Sequence, residues 1–184
     1  MSNSNNLEPL PNSEKYIENL ERRILYDTKS REQGQAATEV LIELSNLQLD
    51  LNVLDLASGS GVPALDIASI IGSGGHVTAT DQSAGSLELA KAEAKTIGLT
   101  NLSFEATSAQ SLPFDDETFD LVTCRMGMMF FPEPVEALNE VNRVLKIGGK
   151  FVSIVQGSEQ RSLWQSSLLE PFRKYTSVPV PGPD

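Results

Sequence analysis

An α/β sandwich built on a mostly parallel sheet is the architecture this sequence predicts, and two observations carry it. Short apolar runs alternate with amphipathic helical segments, and a glycine-rich turn joins the first such run to the first helix after it. The runs are Asn52–Leu56, Val77–Thr80, Leu102–Glu105, Leu121–Thr123 and Phe151–Val155. Strands separated by helices form βαβ units, whose crossovers lay the strands parallel.

The elements follow in order along 184 residues, a length that suits one domain with its own core. Residues 1–12 are polar, acidic and interrupted by prolines, and are expected to be disordered. Residues 13–47 are expected to form a helical cap in two pieces, because Tyr16, Ile17, Leu20 and Ile24, then Val40, Leu41 and Leu44, recur near helical spacing. The core is expected over residues 48–156. Its first helix opens at Pro63, a residue suited to a first turn that needs no donor, and runs to about Ile71. The second has Ser83 as N-cap, places Leu87, Ala90, Ala94 and Ile97 on one face, and stops at Gly98. The third starts near Pro134, presents Val135, Leu138, Val141 and Leu145, and stops at Gly148 and Gly149. Residues 157–184 hold a short amphipathic segment with Leu163, Trp164, Leu168 and Leu169, then the tail VPVPGPD, too rich in proline and glycine for regular structure.

Composition narrows the function classes. The chain is 40% hydrophobic and 21% charged, and no apolar run approaches the roughly 20 residues that span a bilayer. The first residues have neither the basic start nor the apolar stretch of a signal peptide, and Cys124 is the sole cysteine, so a cytoplasmic protein is expected. A single thiol excludes both an intrachain disulfide and a thiolate metal site. A net charge of -11, from 25 acidic and 14 basic residues, opposes a phosphate backbone and argues against nucleic acid as a partner.

The chemistry concentrates after the first strand, in Asp55-Leu56-Ala57-Ser58-Gly59-Ser60-Gly61. Glycines let a backbone approach a ligand closely, and free amides at a helix start favour a carboxylate or phosphate, although a Gly-x-Gly turn can also be only a tight turn. Asp81, 20 residues beyond Gly61 at the end of the second strand, strengthens the nucleotide reading, since an acid there can accept from both ribose hydroxyls. Its structural alternative is a turn or cap before Ser83.

Asp55 bears on which nucleotide. A dinucleotide places a pyrophosphate over the turn, and at about 5 Å in an effective dielectric near 20 each like charge costs roughly 3 kcal/mol. S-adenosylmethionine (SAM) brings an ammonium and a sulfonium, which a carboxylate attracts. A buried capping role for Asp55 stays open beside this reading.

The segments VLDLASGSG, TATDQS, SAQSLPFDDETFDLVTCRMGMMFFPEP and EVNRVLKIGGKFV together resemble the successive motifs of class I SAM-dependent methyltransferases, nearest to the ubiquinone/menaquinone biosynthesis group. The resemblance covers Asn52 to Gln156, more than half of the chain. It implies a Rossmann-like three-layer sandwich with strand order 3-2-1-4-5, here without the usual C-terminal hairpin, and S-adenosyl-L-methionine as cofactor. It implies that Ala57, Ser58, Gly59, Ser60 and Gly61 wrap the methionine portion with Asp55 supporting them, that Asp81 holds the ribose, and that Gln82 flanks the adenine. Ser108 and Ala109 match an adenine-contacting pair, and Arg125 matches a position beside the cofactor where substrate enters, which makes it the one catalytic candidate. Two departures stand out: Ala57 replaces a common glycine, and Ser108 replaces an acid, removing a charged acceptor for adenine.

The expected activity is methyl transfer by in-line displacement to a small, apolar or quinol-like acceptor, a reaction that depends chiefly on positioning, worth on the order of 7–11 kcal/mol. The expected partner is that small molecule, with no metal, no nucleic acid and no membrane span; an exposed fifth strand makes a homodimer conceivable. Met126, Met128, Met129, Phe130 and Phe131 follow the fourth strand, where they line an apolar pocket or form ordinary core. His76 and Cys124 read as structural, and Asp115, Asp116 and Glu117 as a solvated turn. Two alternatives remain at this level: a truncated or accessory protein that binds SAM or its demethylated product with little turnover, and an NAD-dependent oxidoreductase, which Asp55 opposes.

Overall fold

The structure, a computed structural model, describes residues 34–157, so the expectations for residues 1–33 and 158–184 lie outside the described residues. Its centre is a five-stranded sheet of β1 (Asn52–Leu56), β2 (His76–Asp81), β3 (Leu102–Ala106), β4 (Phe119–Arg125) and β5 (Leu145–Ile154). The order is β3-β2-β1-β4-β5, and every pairing is parallel. Succession runs outward from β1 in one direction through β2 and β3, and in the other through β4 and β5. The carboxyl ends of β1 and β4 therefore flank the point where strand order reverses, the place where open α/β sheets bind ligands.

Both faces of the central strands are apolar because helices cover both. On one face, Val53, Val77, Ala79, Leu121 and Val152 pack against Ala64, Ile67, Ala68 and Ile71 of α2 (Ala64–Ile71) and against Leu41 of α1, which occupies residues 34–45. On the other, Leu54, Leu56, Val122 and Cys124 pack against Ala137, Val141 and Val144 of α4 (Pro134–Val144). The remaining helix, α3 (Ala84–Thr96), lies on β2 and β3. Each fully buried Leu or Ile contributes about 1.5–3 kcal/mol by leaving water. Among the described residues no helix is long and apolar enough to cross a membrane.

The predicted strands are all present, and all but β1 are longer than their apolar runs. Ser83 caps α3 as expected, its side chain accepting from Ser86 N. The stop at Gly98 also holds: its φ is +76°, and Leu99 N donates back to Ala94 O at 2.9 Å. Ile97, however, is 53% exposed. The left-handed turn at Gly98 sends Leu99 to the core in its place.

The third helix departs further from expectation. It ends at Val144, and Leu145 already belongs to β5, paired with Phe119. Hydrogen bonds from Glu117 N to Arg143 O and from Thr118 N to Val144 O draw the chain into the sheet there. The next pairing is Leu121 with Lys150, so residues 146–149 bulge outward, with Ile147 91% exposed and Gly148 at φ +82°. Gly148 and Gly149 thus shape a bulge within the strand and do not end the helix. The same junction fixes the helix's rotation. Ala137, Val141 and Val144 face the sheet, whereas Val135 and Leu138 are exposed. In α1 likewise only Leu41 of the expected apolar set is buried; Val40 and Leu44 face outward.

Candidate cofactor site

The turn after β1 is set by backbone conformation. Ala57, Gly59 and Gly61 have φ of +53°, +55° and +100°, so the chain reverses within five residues. Left-handed φ is costly for a residue with a Cβ, which explains why glycine is common where Ala57 stands. Gly61 is also needed for packing: a Cβ there would lie 3.0 Å from Ala90 Cβ and from Leu65, where α2 and α3 meet. Ser58 is buried, with its N–H donating to Thr80 O and its hydroxyl to Asp55 O, both at 2.9 Å.

Asp81 closes the other side. Its Oδ2 accepts from Gly59 N at 2.9 Å and its Oδ1 from Ser83 N at 2.8 Å. The turn-forming role is therefore real. Each oxygen still has a second lone pair, so a further donor remains geometrically admissible.

Between these elements opens a cleft of about 320 Å³. Thr80, Asp81, Gln82 and Thr107 give it a polar side, and Met126, Gly127, Phe130 and Phe131 an apolar one; Ala57 and Ala109 complete the lining. The apolar side comes from the turn after β4. Met126 has φ +55°, and Met128–Phe130 form a single 3-10 turn. A Cβ on Gly127 would lie 2.5 Å from Ala57 Cβ and 2.8 Å from Cys124 Sγ, so the two strand-end turns touch backbone to side chain. Both readings of the methionine and phenylalanine cluster find a place. Met126, Phe130 and Phe131 line the cleft, while Met128 and Phe131 also pack on the core.

The sequence-derived residues divide accordingly. Ala57, Asp81, Gln82 and Ala109 line the cleft, and Asp55, Ser58, Gly59, Ser60 and Gly61 form the strand end and turn bordering it. Ser108 is not in the lining, although its neighbours Thr107 and Ala109 are; its hydroxyl meets Gln82 Nε2 at 3.4 Å and Gln110. Arg125 also stands outside the lining. Its guanidinium lies against α1, where a Cβ on Gly34 would sit 1.5 Å from Nη2. Burial lowers its pKa, opposed by Asp55 and Asp66. Cys124 is buried core with its thiol pushed up to about 12 by burial and by Asp55. His76 begins β2, at the end of the strand away from the cleft, and its Nε2 is 2.9 Å from Ser103 Oγ. The sequence reasoning missed Thr80, Thr107 and Gly127; the signal available was position, since each stands at or just beyond a strand's carboxyl end.

Asp55 is the electrostatic centre of the site. It is fully buried, and burial raises its pKa to about 6 against the hydroxyls of Thr123 and Ser58 and the charge of Arg125, which lower it, with Asp81 raising it further. Thr123 Oγ1 donates to Oδ1 at 2.6 Å. Oδ2 has no hydrogen-bond partner among the described residues. A buried oxygen left in this way fits a ligand that brings a donor or a positive charge, and an ammonium is such a group.

The geometry defines a nucleotide-type cleft at the switch point of a doubly wound sheet, and comparison with known proteins identifies its class. The family model described as "Methyltransferase domain" matches residues 47–172, and the chain belongs to this family, as a class I SAM-dependent methyltransferase domain. The demethylmenaquinone methyltransferase of Lactococcus lactis is 38% identical over 104 residues, covering 56% of this chain and 41% of that protein. Two solved structures extend the likeness. YcgJ of Bacillus subtilis has a TM-score of 0.64 at 29% identity, over 67% of this chain and 52% of that one. An arsenic(III) S-adenosylmethionine methyltransferase of Chlamydomonas reinhardtii has a TM-score of 0.53 at 33% identity, over 56% of this chain and 38% of that one. The chain spans about half the length of the curated relatives it matches, 41% and 51% of the first two. S-adenosylmethionine is the cofactor of this family, which answers the nicotinamide alternative against it.

Proposed function

We propose that this chain binds S-adenosylmethionine in the 320 Å³ cleft and directs its methyl group to a small, apolar or quinol-like acceptor. The observation that carries the reading is the division of the cleft between a polar side ending at Asp81 and an apolar side built from Met126, Phe130 and Phe131. Asp81 would accept from the ribose, Gln82 and Ala109 would border the adenine with Ser108 behind them, and the turn Ala57 to Gly61 would hold the methionine portion above Asp55. Arg125 supports the site from α1's side. When bound, the cofactor supplies a methyl group already activated for displacement by its sulfonium. The protein's part is to align an acceptor and exclude water, and the apolar side suits an acceptor ring. Phe130, 78% exposed although it lines the cleft, stands ready to be covered by such a ring. The similarity to a demethylmenaquinone methyltransferase supports a quinol-like class.

Calorimetric titration with SAM tests the reading, with NAD as comparator. Saturable heat with SAM and none with NAD is expected; the opposite pattern would end it. A turnover assay with quinol-like acceptors then separates an enzyme from a chain that binds the cofactor with little turnover.

A further inference from the structure

Asp55 stands in a row that crosses the sheet: Phe104 on β3, Ala79 on β2, Asp55 on β1, Thr123 on β4 and Val152 on β5 are successive partners in register. In-register neighbours in a sheet project to the same face, so one buried carboxyl lies between a methyl group and a hydroxyl. Ala79 offers no donor. Thr123, with no exposure, donates to Oδ1 at 2.6 Å, and its effect on the carboxyl outweighs that of the Ser58 hydroxyl. The Thr123 hydroxyl has few other options in that apolar row, since Leu54 O lies at 3.5 Å, the limit of a hydrogen bond. The result is a carboxyl locked through one oxygen, with Oδ2 buried and unsatisfied among the described residues.

We propose that Thr123 is a positioning residue that fixes Asp55 with Oδ1 engaged and Oδ2 presented to the cofactor's ammonium, so that cofactor arrival releases a proton from Asp55. The inference rests on the SAM reading above and adds to it a proton linkage and a residue that sets it. In the ligand-free site a buried carboxyl holds its proton more tightly than an exposed one, because the anion lacks water and has a hydrogen bond at only one oxygen. An ammonium supplies the missing charge and donor, the carboxyl ionises, and the proton passes to solvent. Other groups face Asp55 from each neighbouring strand. Arg125 on β4 favours the anion, and Asp81 on β2 opposes it. The Cys124 thiol on β4 stays protonated, and Asp66 on α2 acts on Arg125. None of them donates a hydrogen bond to Oδ2.

The test is calorimetric titration of SAM at pH 6 in buffers of different ionisation enthalpy, which counts protons directly. Release of about half a proton per SAM is expected for a group titrating near pH 6, and affinity falls about tenfold from pH 7.5 to pH 5. Methylthioadenosine, which lacks the amino-acid portion, should bind without releasing a proton. Thr123→Val keeps shape but loses the donor, so the midpoint of the affinity-pH curve should move upward, and Thr123→Ser should restore it. A residue with only a packing role would leave that midpoint in place. SAM binding with no proton release by the wild-type protein overturns the linkage while leaving the cofactor reading intact. Absence of SAM binding overturns the cofactor reading, and the linkage with it.

Discussion

Gly59 N donates to Asp81 Oδ2 at 2.9 Å, so the turn after β1 and the end of β2 form one hydrogen-bonded unit across the cleft's polar side. A carboxylate that already orders the glycine turn is in place for a second donor without rearrangement. Asp81→Ala is expected to weaken SAM more than tenfold, read by calorimetry. Unchanged affinity would mean that the ribose is held elsewhere. The same change removes two backbone hydrogen bonds to a charged acceptor, at Gly59 and Ser83, so a stability loss of about 1–3 kcal/mol should accompany it.

Gly127 and Ala57 make a second contact, between the turns after β4 and β1. Gly127→Ala would place its Cβ 2.5 Å from Ala57 Cβ, a separation that packed atoms do not adopt, so a destabilisation of about 1–3 kcal/mol is expected in urea unfolding. Ala57→Gly removes one of the two obstacles and relieves strain at φ +53°. The double variant should therefore lose less than the sum of its parts. Simple additivity would show that the turns do not touch.

Asp55 makes the ligand-free protein's stability depend on pH in an unusual direction. Its folded pKa, about 6, lies above the ordinary 3.8, so the folded state binds the proton more tightly than the unfolded chain does. The associated stability is fully present below pH 3.8 and is lost as pH rises through about 6, a change of about 3 kcal/mol. Glu140 works the other way: its pKa is held low by Arg143, and its contribution is lost as pH falls. Thermal unfolding of Asp55→Asn against wild type from pH 4 to pH 7.5 isolates the first effect. Parallel curves would contradict it.

Arg143 ties the segment after Ala109 to α4. It donates to Leu112 O at 3.0 Å, to Phe114 O at 2.7 Å and to Glu140 Oε1 at 2.7 Å, while Glu140 Oε2 accepts from Leu112 N at 2.7 Å. Arg143→Ala is expected to cost about 1–3 kcal/mol, because partly buried carbonyls lose a charged donor. Asp116, 75% exposed at 2.9 Å from the same guanidinium, is the contrast: Asp116→Asn should change stability by less than about 1 kcal/mol. Equal effects in urea unfolding would refute this ranking.

The sequence by itself determined the order of elements, the parallel sheet, the glycine turn and the acid at the end of β2. These are written in local signals: apolar runs such as Val53–Leu56, the cap at Ser83, and the glycines at 59, 61 and 98. What only the tertiary structure decided lies where strands from distant parts of the chain come into register. Leu145 was legible as helix from spacing alone, but its pairing with Phe119 makes it strand. Arg125 was legible as a strand-end residue, yet its guanidinium lies against α1 and not in the cleft lining. Thr123 carried no signal at all, being 68 residues from Asp55 in sequence and 2.6 Å from it in the fold. Hydrogen bonds and burial across a sheet depend on which residues become neighbours in space, and no local pattern records that.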